Sequence, residues 1–312
     1  MDRFHSPSAY VFYGLFAFLI LATLVAQFLI RSGRVTEPTA GNLTQRIRAW
    51  WVMIGMLALI FTLGAGAITL FFALCSMAAL REFATITHTR RDDHDGLAIA
   101  FYLILPLQYL LVYFEVPVFA ALLIPVYSFL LLPVITVFKG EVQGFLTRVS
   151  ETQWGLMVCV YCVSHIPAIL TLDIPLYRYS AFTLVAWLIL VVQASDVLQY
   201  IWGKSIGRHL LAPRVSPSKT VEGLVGGMLS ATVLGMALTP ITPFRWWEAG
   251  LIALTVTGFG TLGGLIMSAI KRDRGVKDWG TLVQGHGGIL DRLDSLVFSA
   301  PVFLHILAWG WM

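Results

Sequence analysis

Three aspartates in the C-terminal half occupy positions where a carboxylate needs a partner. Asp291 and Asp294 stand three residues apart in the run G-H-G-G-I-L-D-R-L-D, at the predicted start of the last helix. That spacing puts them on one helix face with Cβ atoms roughly 5 to 6 Å apart, close enough to repel. A hard divalent cation bound through oxygen relieves the repulsion, and Mg²⁺ typically takes one or two carboxylates together with substrate phosphates. The competing explanation is an ordinary acidic helix start, favoured by the helix dipole. Gly285, Gly287 and Gly288, which allow close approach to the backbone, and the basic run before them favour a ligand. Asp196 lies near the end of an apolar helix. An unpaired carboxylate costs about 2.5 to 3.5 kcal/mol at the centre of such a helix and somewhat less toward its end, so it too needs a cation.

The segment that follows Asp196, residues 193–223, has the character of a phosphate site. Gly203 and Gly207 permit close backbone approach, and Lys204, Arg208 and Lys219 offer positive charge, arginine as a bidentate fork and lysine as a point charge. Ser216, Pro217 and Ser218 before Lys219 and Glu222 read as a turn and helix start, whose free N–H groups also suit an anion. Basic residues beside a membrane often meet only lipid headgroups. Their grouping with an embedded Asp196 favours a ligand site.

The elements that must hold these residues are membrane helices. Of the 312 residues 58% are apolar and 12% charged, and the mean hydropathy is +0.80, outside the range of soluble domains. Runs near the roughly 20 residues that cross a bilayer cover 9–30, 97–114, 116–138, 152–172, 179–200, 221–240, 249–270 and 289–312. Residues 49–80 are too long for one span, and Gly64 and Gly66 offer a turn inside them. The expectation is an all-α polytopic protein of ten spans forming one membrane domain. Residues 1–150 hold the first five spans and residues 151–312 the spans that carry the polar loops. The first apolar run precedes its basic cluster, so it is expected to stay as an anchor, not to be removed as a signal peptide.

Charge supports ten crossings, because Lys and Arg collect in alternate loops. Arg31, Arg34, Arg46 and Arg48 fall in the first, Arg81, Arg90 and Arg91 in the next, and Lys139 and Arg148 in the third. Lys204, Arg208, Arg214 and Lys219 fall in the fourth, with Lys271, Arg272, Arg274, Lys277 and Arg292 in or beside the fifth. Only Arg3, Arg178 and Arg245 are left for the other side, where both termini would lie. The net charge of +4 therefore reports topology and does not point to nucleic acid.

Over about 27 residues the chain resembles the signature of phosphatidate cytidylyltransferases, carried by Ser268, Lys271, Arg272, Lys277, Asp278, Gly280, His286, Gly287, Gly288, Asp291, Arg292 and Asp294. A second block is similar through Ser195, Asp196, Gly203, Lys204, Gly207, Arg208, Ser216, Pro217, Lys219, Thr220, Glu222 and Gly223. Val283 and Gln284 depart from it, since the family usually has Ile, Leu or Phe followed by Pro, Gly or Ser. The resemblance implies that a phosphate oxygen of phosphatidic acid attacks the α-phosphorus of CTP and releases pyrophosphate, without a general base. It implies Mg²⁺, with a second cation left open, held by Asp196, Asp278, Asp291 and Asp294. Lys204, Arg208, Lys219, Lys271, Arg272, Lys277 and Arg292 would hold phosphates, with Lys219 also in the catalytic set. Ser195, Ser216 and Thr220 would give hydroxyl contacts, and His286, Gly287 and Gly288 would face phosphate, although a structural role for His286 fits equally. A homodimer in the bacterial inner membrane among membrane lipids, with the catalytic loops in the cytosol, completes the implication.

Rival readings are a CTP-dependent polyprenol or phytol kinase, which would release CDP, and a transporter, which would need ionisable residues at the midplane of several helices. Other patterns are read as structure. G-F-G-T-L-G at 258–263 matches a dinucleotide fingerprint but lies in an apolar span, so close helix packing is expected, as for Gly226 and Gly227. Cys75, Cys159 and Cys162 are expected to be buried, and Asp92, Asp93, His94 and Asp95 to form a solvated loop. H-G-G lacks the nucleophile elbow of a hydrolase.

Overall fold

A computed structural model describes residues 7–32, 39–87, 93–175, 177, 181–280 and 287–311. The described chain is helical throughout except for one small hairpin. The helices are α1 (Pro7–Arg31), α2 (Thr39–Leu63), α3 (Ala65–Ile86), α4 (His94–Tyr113), α5 (Pro117–Val137), α6 (Phe145–Thr171) and α7 (Ala181–Ile206). After the strands β1 (Leu210–Ala212) and β2 (Ser216–Thr220) come α8 (Val221–Ala237), α9 (Trp246–Asp273) and α10 (Leu290–Gly310). Seven of them, α3 to α7, α9 and α10, are long and apolar enough to cross a membrane. The apolar segments Phe12–Phe28, Ile47–Leu63 and Val221–Ala237 are shorter, so an all-α polytopic membrane protein is established and ten crossings remain an expectation. Phe28, Leu59, Leu130 and Val233 point outward with more than half of their surface exposed. That placement suits helices whose solvent is hydrocarbon, where apolar side chains need no cover.

The ambiguous stretch divides at a single residue. Gly64 adopts φ 101°, a conformation that side chains with a Cβ rarely take, and α2 ends where α3 begins. Three other helices, α4, α5 and α6, each contain a wider π-type turn, at Ala100–Ile104, Leu123–Ser128 and Met157–Cys162. Cys159 and Cys162 lie in the last of these as free, buried or half-buried thiols.

The packing that matters for the site is in the C-terminal half, where small residues let helix backbones meet. A Cβ on Gly227 would come 2.3 Å from the Gln199 side chain, so α8 lies directly against α7. On α9, a Cβ at Gly260 would meet Ser299 Oγ at 2.8 Å, and one at Gly263 would meet the Asp294 carbonyl at 2.9 Å. The glycine run at 258–263 is thus a helix-packing surface, as its apolar setting predicts. Deeper in, Trp187 of α7 stacks on Phe303 of α10 with centroids 5.4 Å apart, and both rings are fully buried.

Two local expectations are corrected. Ser216, Pro217 and Ser218 are not a turn: they form β2, paired antiparallel with β1, and the turn lies between the strands. The helix start is displaced to Thr220, whose Oγ1 accepts from the Gly223 N–H at 3.1 Å. Nor is Asp93 solvated, because it is buried and pairs with Arg148 at 3.2 Å, while Asp95 pairs with Lys139. Asp92 lies outside the described residues.

Candidate active site

Asp294 and Asp196, on α10 and α7, meet across Ser295. The Ser295 hydroxyl donates to Asp196 Oδ2 at 2.6 Å and stands 3.4 Å from Asp294 Oδ1, which also accepts from the Ser295 N–H at 2.8 Å. Lys219, in strand β2 of the hairpin, reaches the same place. A Cβ on Gly264 of α9 would lie 3.2 Å from Lys219 Nζ, 3.7 Å from Ser295 Oγ and 3.9 Å from Asp294 Oδ2. The missing side chain at Gly264 therefore leaves a space faced by an ammonium, a hydroxyl and a carboxylate. Arg292 and Lys219 also lie close enough for their charges to act on Asp196.

Asp291 shares a helix turn with Asp294 but turns elsewhere. Its Oδ1 accepts from Lys271 Nζ at 2.6 Å, and its Oδ2 accepts from the Trp279 and Gly288 N–H groups, both at 2.9 Å. The Lys271 and Asp291 side chains are only 10% and 7% exposed, so this is a buried ion pair whose remaining acceptor capacity is used by backbone donors. It fastens the loop after α9 to the start of α10. Gly287, at φ 81°, leaves no room for a side chain, since a Cβ there would meet Asp291 Oδ2 at 2.5 Å.

Glu82 of α3 completes this end of α10 and is a residue that sequence reasoning missed. Its two carboxylate oxygens accept from the Ile289 and Leu290 N–H groups, each at 2.9 Å, and so cap the helix. Next to it Phe83 stacks on Trp279 with centroids 5.4 Å apart, and Arg274 reaches Glu151 of α6 at 2.6 Å. The available signal was an acidic residue at the end of an apolar helix, the same signal that singled out Asp196. Replacing Glu82 by alanine leaves two buried donors without their acceptor. At about 1 to 3 kcal/mol per unsatisfied group, thermal unfolding in detergent should register the loss as a lower midpoint, and Glu82→Gln should recover part of it.

The other expected residues divide by position. Lys204, Arg208, Lys277 and Asp278 are exposed, the last two in the loop after α9. Arg272 ties that loop to the hairpin through the Val276 and Val215 carbonyls at 3.1 and 3.4 Å. Ser195 is buried, where it accepts from Gln199 Nε2 at 3.0 Å. Ser216 sits in β2, and Thr220 caps α8. Glu222 binds the Arg208 and His209 N–H groups at 3.0 and 3.2 Å, closing the hairpin at its base. His286, with Val283, Gln284 and Gly285, lies outside the described residues.

Among the described residues no group of three or more His, Cys, Asp or Glu side chains gathers as a preformed metal cage. Mg²⁺ takes one or two carboxylates and completes its octahedron with water and substrate phosphates. Asp294, which faces the space at Gly264, and Asp196, joined to it through Ser295, would be the residues to hold it. Asp291, with both oxygens engaged, does not face the space at Gly264 in this arrangement.

The profile of the cytidylyltransferase family matches residues 44–309. The chain belongs to that family. Its members are CTP-using nucleotidyltransferases, and the matched region contains the Asp196, Lys219 and Asp294 arrangement. Across 302 residues the chain is 40% identical to a protein named Uncharacterized protein YnbB from Escherichia coli strain K12, covering 95% of this chain and 96% of that one. It is 36% identical over 165 residues to a phosphatidate cytidylyltransferase of Staphylococcus saprophyticus and 34% identical over 165 residues to one of Staphylococcus haemolyticus. Each of those alignments takes in 52% of this chain and spans 63% of the relative's length.

Proposed function

We propose that the protein is a phosphatidate cytidylyltransferase, converting CTP and phosphatidic acid to CDP-diacylglycerol and pyrophosphate. The observation that carries this reading is the Asp196 and Asp294 pair, joined through Ser295 and faced by Lys219, in a chain of the cytidylyltransferase family. The relatives named phosphatidate cytidylyltransferase support the choice of acceptor.

In the proposed reaction an oxygen of the lipid phosphate attacks the α-phosphorus of CTP, a phosphorus–oxygen bond forms, and the bond to the β-phosphate bridging oxygen breaks. The electron pair leaves with pyrophosphate. The attacking oxygen is already anionic near neutral pH, so no side chain has to remove a proton. What the site must supply is positioning and charge neutralisation between two polyanions. Mg²⁺ bound at Asp196 and Asp294 would supply much of that neutralisation. Lys219 stands beside Asp294 and would hold phosphate oxygens there, and Lys204, Arg208, Arg272 and Lys277 would meet further phosphate oxygens. Lys271 and Asp291 hold the loop and the helix start, which keeps Asp294 aimed at Asp196. Asp278 as a further metal ligand, His286 as a phosphate contact and a second cation belong to the same proposal.

The reading includes ten crossings with the basic loops in the cytosol, both termini opposite, a bacterial inner membrane and a homodimer; the alternating charge supports the first two. The test is incubation of detergent-purified protein with phosphatidic acid, CTP and Mg²⁺, assaying pyrophosphate and lipid-linked CMP together. Equimolar appearance of both supports cytidylyl transfer. CDP formed with a polyprenol acceptor would replace this reading with a kinase, and omission of Mg²⁺ should abolish either product.

A further inference from the structure

A cavity of about 1110 Å³ lies between the N-terminal helices α1 to α3 and the helices α7 and α10 that carry Asp196 and Asp294. It slightly exceeds the roughly 300 to 1,000 Å³ of most small-molecule sites. Its walls are graded. On α2, Arg48 lies at one end and Met53, Ile54 and Leu57 follow; Leu57 is about 13 Å further along the axis at 1.5 Å per residue. Running the other way, α7 places Gln193 at the polar end and Ala186 about 10 Å beyond it. The start of α10 contributes Arg292, and Leu296 lies one turn deeper. Two helices running one way and α7 running the other thus put cationic or polar groups at the same end and apolar groups at the other.

The polar end joins the candidate active site. Gln193 Nε2 donates to the Arg292 carbonyl at 3.2 Å, binding α7 to α10 there. Arg292 lines the chamber and is also near enough for its charge to act on Asp196. A nucleotide triphosphate has no use for walls of Met53, Leu57 and Leu296. A lipid with a phosphate headgroup matches the gradient at both ends, and the depth is close to one leaflet, half of the roughly 30 Å hydrocarbon core.

We propose that this chamber seats the acyl portion of the phosphatidic acid substrate, with Arg48 and Arg292 holding its phosphate at the polar end. The inference rests on the cytidylyl-transfer reading and extends the lipid site into α1 and α2. Arg48, in the first turns of α2, is one of the basic residues that by sequence alone report only topology.

The experiment uses the full chain in nanodiscs, with long-chain phosphatidic acid, a short-chain dihexanoyl analogue and a long-chain phosphatidic acid bearing a photoreactive acyl tail. Met53→Trp and Ile189→Trp, at half-buried positions on the wall, should raise KM for the long-chain lipid several-fold and leave the short analogue and CTP unchanged. Arg48→Ala should raise KM roughly tenfold for both lipids, the scale of one charge-assisted hydrogen bond, without altering KM for CTP. Crosslinks from the photoreactive tail should map to α2 between 48 and 57 and be competed by phosphatidic acid but not by diacylglycerol. Should the tryptophan variants not fold, Met53→Ala and Ile189→Ala should weaken crosslinking instead. Unchanged kinetics in active wall variants, crosslinks elsewhere, or equal competition by diacylglycerol would overturn the chamber assignment. If the wild type turns over no lipid with CTP, the function reading fails, while the crosslinking still judges the chamber.

Discussion

Asp294→Asn should lower cytidylyl transfer by at least about a hundredfold, and Asp196→Asn by a similar factor, with the fold intact in both. Removing one preorganised electrostatic group from a site of this kind typically costs 10² to 10³ in rate. Asparagine keeps the shape and retains an oxygen for the Ser295 N–H and hydroxyl, so the substitution removes charge more than structure. Because the two carboxylates act as a unit, the double variant should be scarcely slower than either single one. Asp278→Asn, at an exposed position, should cost much less. The measurement is kcat for pyrophosphate release at saturating CTP and lipid across a Mg²⁺ titration. A fully active Asp294→Asn enzyme at every Mg²⁺ concentration would remove the carboxylate pair from the mechanism.

The second large effect concerns Lys271. Lys271→Ala leaves Asp291 as a buried charge held only by the Trp279 and Gly288 N–H groups. Losing one partner of a buried pair costs about 3 to 5 kcal/mol, far more than an exposed pair is worth. The expected result is a clear drop in the unfolding midpoint in detergent, with loss of turnover as the start of α10 shifts. Pairing it with Asp291→Asn relieves the stranded charge, so the double variant should recover much of the midpoint. Turnover then separates two roles. Recovery with stability means the pair only positions the helix, whereas persistent loss means that Lys271 also touches phosphate. Equal stability of Lys271→Ala and wild type would show that the ion pair contributes nothing to the fold.

Both expectations depend on a distinction that spacing cannot make. Three residues of separation place Asp291 and Asp294 on one face, and sequence reasoning treats them as equivalent ligands. Spacing specifies where Cβ atoms lie but not which partners the carboxylates find. In the folded chain Asp291 closes on Lys271 and the loop, while Asp294 turns to Ser295 and Asp196. Gly264, passed over beside the glycine run, leaves by its missing side chain the space that Lys219, Ser295 and Asp294 face.

The sequence by itself determined the solvent, the helical class, the places where helices break and the segments that hold the chemistry. Each of these follows from local properties: hydropathy over about 20 residues, the φ > 0 tolerance of Gly64, and clustered charge and glycine beside apolar runs. The tertiary structure decided which of the charged groups meet. Glu82 caps a helix 208 residues away, Ser295 bridges to Asp196 across 99, and Arg48 faces the same chamber as Arg292. Such contacts arise from how helices pack, and helix packing in a membrane is set by small residues and interhelical hydrogen bonds across the whole bundle. Ser216 to Lys219 show the same limit on a short scale, because pairing with β1 turns a segment with the composition of a turn into a strand.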